Sequence, residues 1–169
     1  MQSIIQDFRA YTLYSNPLGV VFFSRGFHAL CAYRLGHLIS LLPGGSFFAF
    51  LLSRIIQILY GIDIHWSARI GGGCRIVHGI GLVIGCDVII GENSSLYNGV
   101  TIGSKGEGRH EKMPHIGNTV KIYAGAKVLG NITIADGATI GANAVVVTDC
   151  KIIGGSYGGI PAKLLTKHG

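Results

Sequence analysis

The chain has 169 residues, of which 49% are apolar and 13% charged, and its net charge is +6. That suits one domain, or one domain with a short extension; 27 glycines against four prolines point to repeated tight corners and exclude a disordered chain. The charge favours anionic partners, but no arginine–lysine block or interleaved aromatic stripe is present, so nucleic acid fits least and a small anionic ligand best.

Residues 1–61 carry helical spacing. A short helix is expected over about residues 2–12, and Asn16-Pro17 marks a turn. In "FFSRGFHALCAYRLGHLISLL", Phe23, Phe27, Leu30, Leu35 and Leu38 recur at steps that put them near one helical face. Pro43-Gly44-Gly45 breaks that helix, and a second, "SFFAFLLSRIIQILYG", runs to Gly61. Neither half reaches the roughly 20 apolar residues of a membrane span. Packed helices are expected, with a peripheral membrane contact left open. The start "MQSIIQDFRAY" lacks the pattern of a secretory leader. Cys31, Cys74, Cys86 and Cys150 form no CxxC pair, and scattered thiols of this kind suit a cytoplasmic protein.

From Ile64 the period becomes six. Aliphatic residues stand at Ile64, Ile70 and Ile76, at Ile84, Ile90, Leu96 and Ile102, and at Ile116, Ile122, Val128, Ile134, Ile140, Val146 and Ile152. A hexapeptide period predicts a parallel β-helix. Each hexad supplies a flat strand and a corner, three hexads close a triangular coil, and inward aliphatics stack about 4.8 Å apart along the axis. The chain therefore reads as mainly β: a helical region over 1–61, a solenoid over 62–165 and a tail over 166–169. Apolar outer faces need cover, so self-association, most naturally as a homotrimer, is expected.

Two insertions interrupt the lattice. Between Ile76 and Ile84 two extra residues accompany His78. Between Ile102 and Ile116 the polar stretch "IGSKGEGRHEKMPHI" forms a loop over 103–115. Extra residues in a repeat scaffold map to loops, where binding groups sit. A lone histidine on an apolar background is more often structural than catalytic. Gly79 and Gly81 leave room beside this one, however, and Asp63 lies fifteen residues upstream, within reach on an adjacent coil. A carboxylate on one ring nitrogen raises the basicity of the other, as deprotonating an alcohol requires. The alternative for Asp63 is a cap where helix gives way to solenoid. Arg109 and His110 suit a carboxylate ligand, or else belong to a solvated basic loop. His110, His115 and His78 also admit a zinc site like that of the gamma-class carbonic anhydrases.

Together, "GFHALCAYRLGHLI", "DIHWSARIGGG", "IVHGIGLVIG" and "IYAGAKVLGNITIADGATIGANAVVV" resemble the bacterial serine acetyltransferases. The resemblance implies a left-handed parallel β-helix, a homotrimer with active sites between subunits, acetyl-CoA as donor, and no metal. It implies that His78 is the general base and Asp63 its partner, with Arg109 and His110 on the amino-acid acceptor. Gly103, Ala124 and Ala142 would line the pantetheine groove, with Lys127 and Lys163 near the nucleotide phosphates. Asp7 is a further candidate carboxylate for the acceptor.

Departures fall on acceptor recognition. Val77 replaces the aspartate that usually precedes the base, the loop "GSKGEG" is short, and Cys86 stands where glutamate is common. An ammonium left without a partner there would be costly. Polysaccharide-biosynthesis relatives share "PHIGN" after a short loop, so a sugar hydroxyl stays open beside L-serine. The C-terminal "KLLTKHG" lacks the terminal isoleucine by which the family engages the next enzyme of cysteine synthesis, so no such complex is expected.

Overall fold

The computed structural model describes residues 2–106 and 112–165. Four helices come first: α1 (Gln2–Thr12), α2 (Pro17–Phe23), α3 (Arg25–Ser40) and α4 (Gly45–Tyr60). Asn16 caps α2, its Oδ1 accepting from the Leu18 and Gly19 amides at 2.8 and 3.3 Å, with Pro17 in the first turn where no partner for an N–H is needed. Ser24 Oγ accepts from the Phe27 amide at 3.3 Å, so the helix expected to run unbroken through "FFSRGF" divides there. Residues in the left-handed region at Gly44 and Gly61 bound α4.

The expected apolar face of α3 is corrected by the structure. Phe27 and Leu30 are buried, but Phe23, Leu35 and Leu38 are exposed. The inward stripe is Gly26, Ala29, Leu30, Tyr33 and Gly36. Small residues take these places because α4 and the solenoid approach α3 closely, so side-chain size misled the reading.

The solenoid has four complete coils among the described residues. The first is β1 (Asp63–Ile64), β2 (Arg69–Ile70) and β3 (Arg75–Val77); the second is β4 (Val83–Ile84), β5 (Ile89–Ile90) and β6 (Ser95–Tyr97). The third is β7 (Thr101–Gly103), β8 (His115–Ile116) and β9 (Lys121–Ile122); the fourth is β10 (Lys127–Leu129), β11 (Thr133–Ile134) and β12 (Thr139–Ile140). A partial fifth holds β13 (Val145–Val146) and β14 (Ser156–Gly158), against which β15 (Lys163–Leu164) turns back antiparallel. Strands of successive coils pair in parallel to form three faces: β1-β4-β7-β10-β13, β2-β5-β8-β11 and β3-β6-β9-β12-β14.

Every hexad aliphatic from Ile64 to Val146 is buried. Ile152 is not; it is 51% exposed. The lattice ends one hexad early, and the last coil is filled instead by Cys150, bridged to Ile134, and by Tyr157, registered on Ile140.

The first coil has no coil beneath it, and side chains supply the missing partners. Tyr33 Oη donates to the Ala68 carbonyl at 2.5 Å and accepts from the Ile70 amide at 3.2 Å. Tyr11 Oη donates to the Ile76 carbonyl at 3.0 Å and accepts from its amide at 2.8 Å. Arg34 donates to the carbonyls of Ile70 and Gly71, and the buried Asp7 carboxylate pairs with Arg34 while accepting from the Cys74 amide at 3.0 Å. Together α1 and α3 thus satisfy an edge that would otherwise be open. The role considered for Asp7 at the acceptor is thereby corrected: at 1% exposure it is a structural clamp.

Candidate active site

One edge of the prism is a stack of corners joined by backbone hydrogen bonds. The Gly81 amide donates to the Gly61 carbonyl at 2.7 Å; Gly99 to Ile80, Gly125 to Asn98 and Asn143 to Ala124 follow, each at 2.9 Å. These are the corners leading from β3 to β4, β6 to β7, β9 to β10 and β12 to β13. His78 stands at the head of this stack, in the corner the two-residue insertion enlarges. Its φ is 64°, a left-handed conformation that costs a non-glycine residue about 1–2 kcal/mol. The turn aims the imidazole outward, and the residue is exposed. Gly79 follows with φ also 64°, and a Cβ there would lie 2.5 Å from Ile62 Cδ1, so only glycine fits over that buried side chain.

His78 opens onto two clefts between the helical layer and the first coil, of about 360 and 260 Å3, which share Ser24 and Ile76. Phe23 and Arg25 line the first; Tyr11, Tyr14, Ser15, Arg75 and Val77 line the second. The Arg75 guanidinium lies 3.7 Å over the Tyr14 ring, a cation–π contact that leaves its edge donors open. Among the described residues no carboxylate lines either cleft, and neither arginine is in an ion pair.

Asp63 opens β1, registered on Val83, and its amide donates to the Leu82 carbonyl at 2.9 Å. Its carboxylate accepts from Gln57 Nε2 at 3.1 Å and faces Arg54 at 3.9 Å. The structure links Asp63 to the far end of the turn that His78 begins; among the described residues the carboxylate's partners come from the last turns of α4 and do not include the imidazole. Arg109 and His110 lie outside the described residues.

Ala124 and Ala142 both lie in the corner stack that His78 heads, two and three coils along, about 10 and 14 Å at the strand spacing. Gly103 ends β7 at a different edge, and a Cβ built there meets nothing within 4 Å. Lys127 Nζ donates to the Gly99 carbonyl at 2.6 Å and to Thr101 Oγ1 at 3.1 Å, so two of its three donors serve the wall. Lys163 is exposed on β15. His115 is on β8, on another face from the His78 corner; among the described residues no group of three side chains is placed to hold a metal. Burial pushes the Cys74 thiol up to about 12, which makes it a packing residue and not a nucleophile.

Sequence reading missed three features. Arg25 and the Arg75–Tyr14 pair gave no periodic signal. Tyr97 and Tyr123 stack with ring centroids 4.8 Å apart on the face that ends at the corner stack, beside Val77, which registers on Tyr97. Their separation of 26 residues is one coil of eighteen plus the eight of the loop, and that sum was the available signal.

A family model described as bacterial transferase hexapeptide (six repeats) matches residues 113–148. The serine acetyltransferase of Helicobacter pylori is 42% identical over 152 residues, covering 90% of this chain and 88% of that protein. Soybean serine acetyltransferase superposes with a TM-score of 0.92 at 34% identity, covering 97% of this chain and 68% of that one. Serine acetyltransferase of Brucella abortus, solved in complex with coenzyme A, gives 0.91 at 32% identity, covering 99% and 68%. The solenoid is accordingly a left-handed parallel β-helix, and its owner an acyltransferase. Hexad lattice, helical cap and near-full-length identity to a relative of the same size agree: this chain belongs to the serine acetyltransferase family.

Proposed function

We propose that this protein transfers the acetyl group of acetyl-CoA to the hydroxyl of L-serine, giving O-acetylserine for cysteine biosynthesis, with His78 as general base. The observation that carries the reading is the corner stack: an outward imidazole in a left-handed turn heads the same edge on which Ala124 and Ala142 stand. Small residues along an edge leave room for an extended chain, and the open space at Gly103 fits the same ligand. When bound, acetyl-CoA supplies the thioester and a thiolate leaving group. His78 takes the hydroxyl proton as the acceptor oxygen forms its bond to the acetyl carbon, and returns that proton to the departing sulfur. Asp63 orients the ring by exchanging Gln57 for an imidazole nitrogen, a reading supported by its bond to Leu82, which ends the turn that His78 begins. Arg109 and His110 hold the acceptor, and the remaining donor of Lys127, with Lys163, serves the phosphates. The site is completed at the boundary of a homotrimer.

A second reading, acetylation of a sugar hydroxyl, is favoured by one observation. Arg25 and Arg75 line the clefts at His78, Val77 replaces an ammonium partner, and no described carboxylate is present there. Thiol release from acetyl-CoA, measured with L-serine and with nucleotide-linked sugars, separates the two. Release with serine is expected; none at any pH, with release on a sugar, would transfer the function to the second reading.

A further inference from the structure

Arg34 gives its guanidinium to Asp7, and Arg54 faces Asp63. Arg75 has no such partner: among the described residues its side chain enters no ion pair and no hydrogen bond. It is nonetheless held in place. Burial alternates along β3, so Ile76 points into the prism while Arg75 and Val77 point out beside His78. Tyr11 Oη bonds both backbone groups of Ile76, and the Tyr14 amide donates to the Tyr11 carbonyl at 3.0 Å. The end of α1 thus clamps β3 and sets the Tyr14 ring beside it. Over that ring the Arg75 guanidinium carbon stands 3.7 Å from the centroid. Stacking uses a face of the guanidinium and leaves its edge N–H donors oriented and open, which lowers the entropy lost when they bind.

The setting selects what those donors take. Arg75 is half-buried, and it lines the same cleft of about 260 Å3 as His78. The other walls are tyrosine, serine and aliphatic side chains, and no described carboxylate is among them. A guanidinium edge matches two oxygens of a carboxylate or a phosphate, and a cation held without a counter-charge favours either. Position separates this anion from the acetyl donor. The cleft lies between the helices and the first coil, whereas Ala124 and Ala142, which carry the reading of a donor groove, stand two and three coils along on the other side of His78. An anion at Arg75 therefore belongs to the acceptor.

We propose that Arg75, held on the Tyr14 ring, is a specificity-determining residue: it binds an oxyanion of the acceptor, a carboxylate or a phosphate, and so selects acceptors that carry one. This role rests on the reading of His78 as the base for acetyl transfer, to which it adds the acceptor's charge. Thiol release from acetyl-CoA is measured with two matched pairs, L-serine against L-serinamide and uridine diphosphate N-acetylglucosamine against N-acetylglucosamine. The parent should favour the anionic member of a pair in kcat/KM. Arg75→Met should reduce that preference about ten- to a hundredfold, chiefly through KM, as loss of a hydrogen bond between charged groups implies. The pair that responds identifies the anion as carboxylate or phosphate. Each enzyme is compared with itself on two acceptors, so a loss of folded protein cancels. A parent that prefers neither anion, or a preference kept within about twofold in Arg75→Met, overturns the role. If the parent acetylates none of the four, the reading of His78 fails, and calorimetry with inorganic phosphate decides for Arg75. Binding weakened about tenfold or more in Arg75→Met upholds the oxyanion site; no binding, or binding indifferent to the variant, overturns it.

Discussion

Arg34→Met tests whether the helical layer is fastened to the first coil by one buried ion pair. Arg34 contacts Asp7 through Nε at 3.1 Å and Nη2 at 3.2 Å, and the two side chains are 11% and 1% exposed. Removing the cation strands a buried carboxylate and two carbonyls, those of Ile70 and Gly71. Breaking a buried pair from one side costs about 3–5 kcal/mol. At about 2–4 °C per kcal/mol for a chain of this length, the melting temperature should fall by about 10 °C at neutral pH.

The pH dependence sharpens the test. Burial already holds the Asp7 carboxyl above its ordinary range, and Arg34, by hydrogen bond and charge, pulls it back down. Without Arg34 it rises further. A carboxyl whose folded pKa exceeds its unfolded value keeps its proton in the fold after the unfolded chain has released it. Stability therefore falls as pH rises from about 3.8 through the folded pKa, and the variant's fall is the larger. The gap in melting temperature between parent and variant should widen from pH 5 to pH 8, measured by circular dichroism at one scan rate. In Asp7→Asn/Arg34→Met the widening should vanish. A gap under about 2 °C at pH 8, or one indifferent to pH, refutes the clamp.

Three further outcomes are expected. His78→Ala should lower kcat/KM about 10²–10⁴-fold with the melting temperature preserved, and Asp63→Asn should lower it less, because orienting a base is a smaller contribution than moving the proton. Gly26→Ala would put a Cβ 2.2 Å from the Ile76 carbonyl and 2.6 Å from Tyr11 Oη, so α3 must lift off β3; a loss of about 1–3 kcal/mol in urea unfolding and a drop in kcat/KM should appear together. His65 packs on Trp66 at 3.9 Å, and its burial lowers its pKa against the pull of Asp87 and Asp63. Its folded pKa lies below the unfolded value, so its share of stability is complete above about pH 6.5 and lost as pH falls toward the folded value; His65→Gln should flatten the melting temperature between pH 7 and 5.

Local chemistry explains what was legible. The hexads announced themselves because each inward residue meets its equivalent one coil away, so three-dimensional contact and sequence period coincide from Ile64 to Val146. His78 was legible for the complementary reason: a residue that must leave the wall has to break the count. Contacts that obey no period stayed hidden. The 27 positions from Asp7 to Arg34 cross from one helix to another, the 61 from Tyr14 to Arg75 cross from a turn to a strand, and no spacing rule links them. Ile152 failed because the final coil ends the constraint: with no further coil above, Cys150 and Tyr157 suffice.

Asp63 and His78 show how backbone connection differs from side-chain partnership. Asp63 opens β1, and its amide bonds the Leu82 carbonyl at the end of the turn that His78 begins. Partner choice was decided by α4, which delivers Gln57 and Arg54 to the same carboxylate. In the isolated chain the helix wins because its side chains are already fixed beside β1, while His78 is held outward by its turn. On the proposed reading, an acceptor and a neighbouring subunit would bring new charge to the end of that turn. If the dyad forms only then, Gln57→Ala should release the carboxylate and raise the share of His78 bound to it before substrate arrives. The imidazole proton resonances of His78 should then move toward those of a carboxylate-bonded ring. No movement on Gln57→Ala would leave Asp63 as the cap between helix and solenoid, and His78 as a base without a partner.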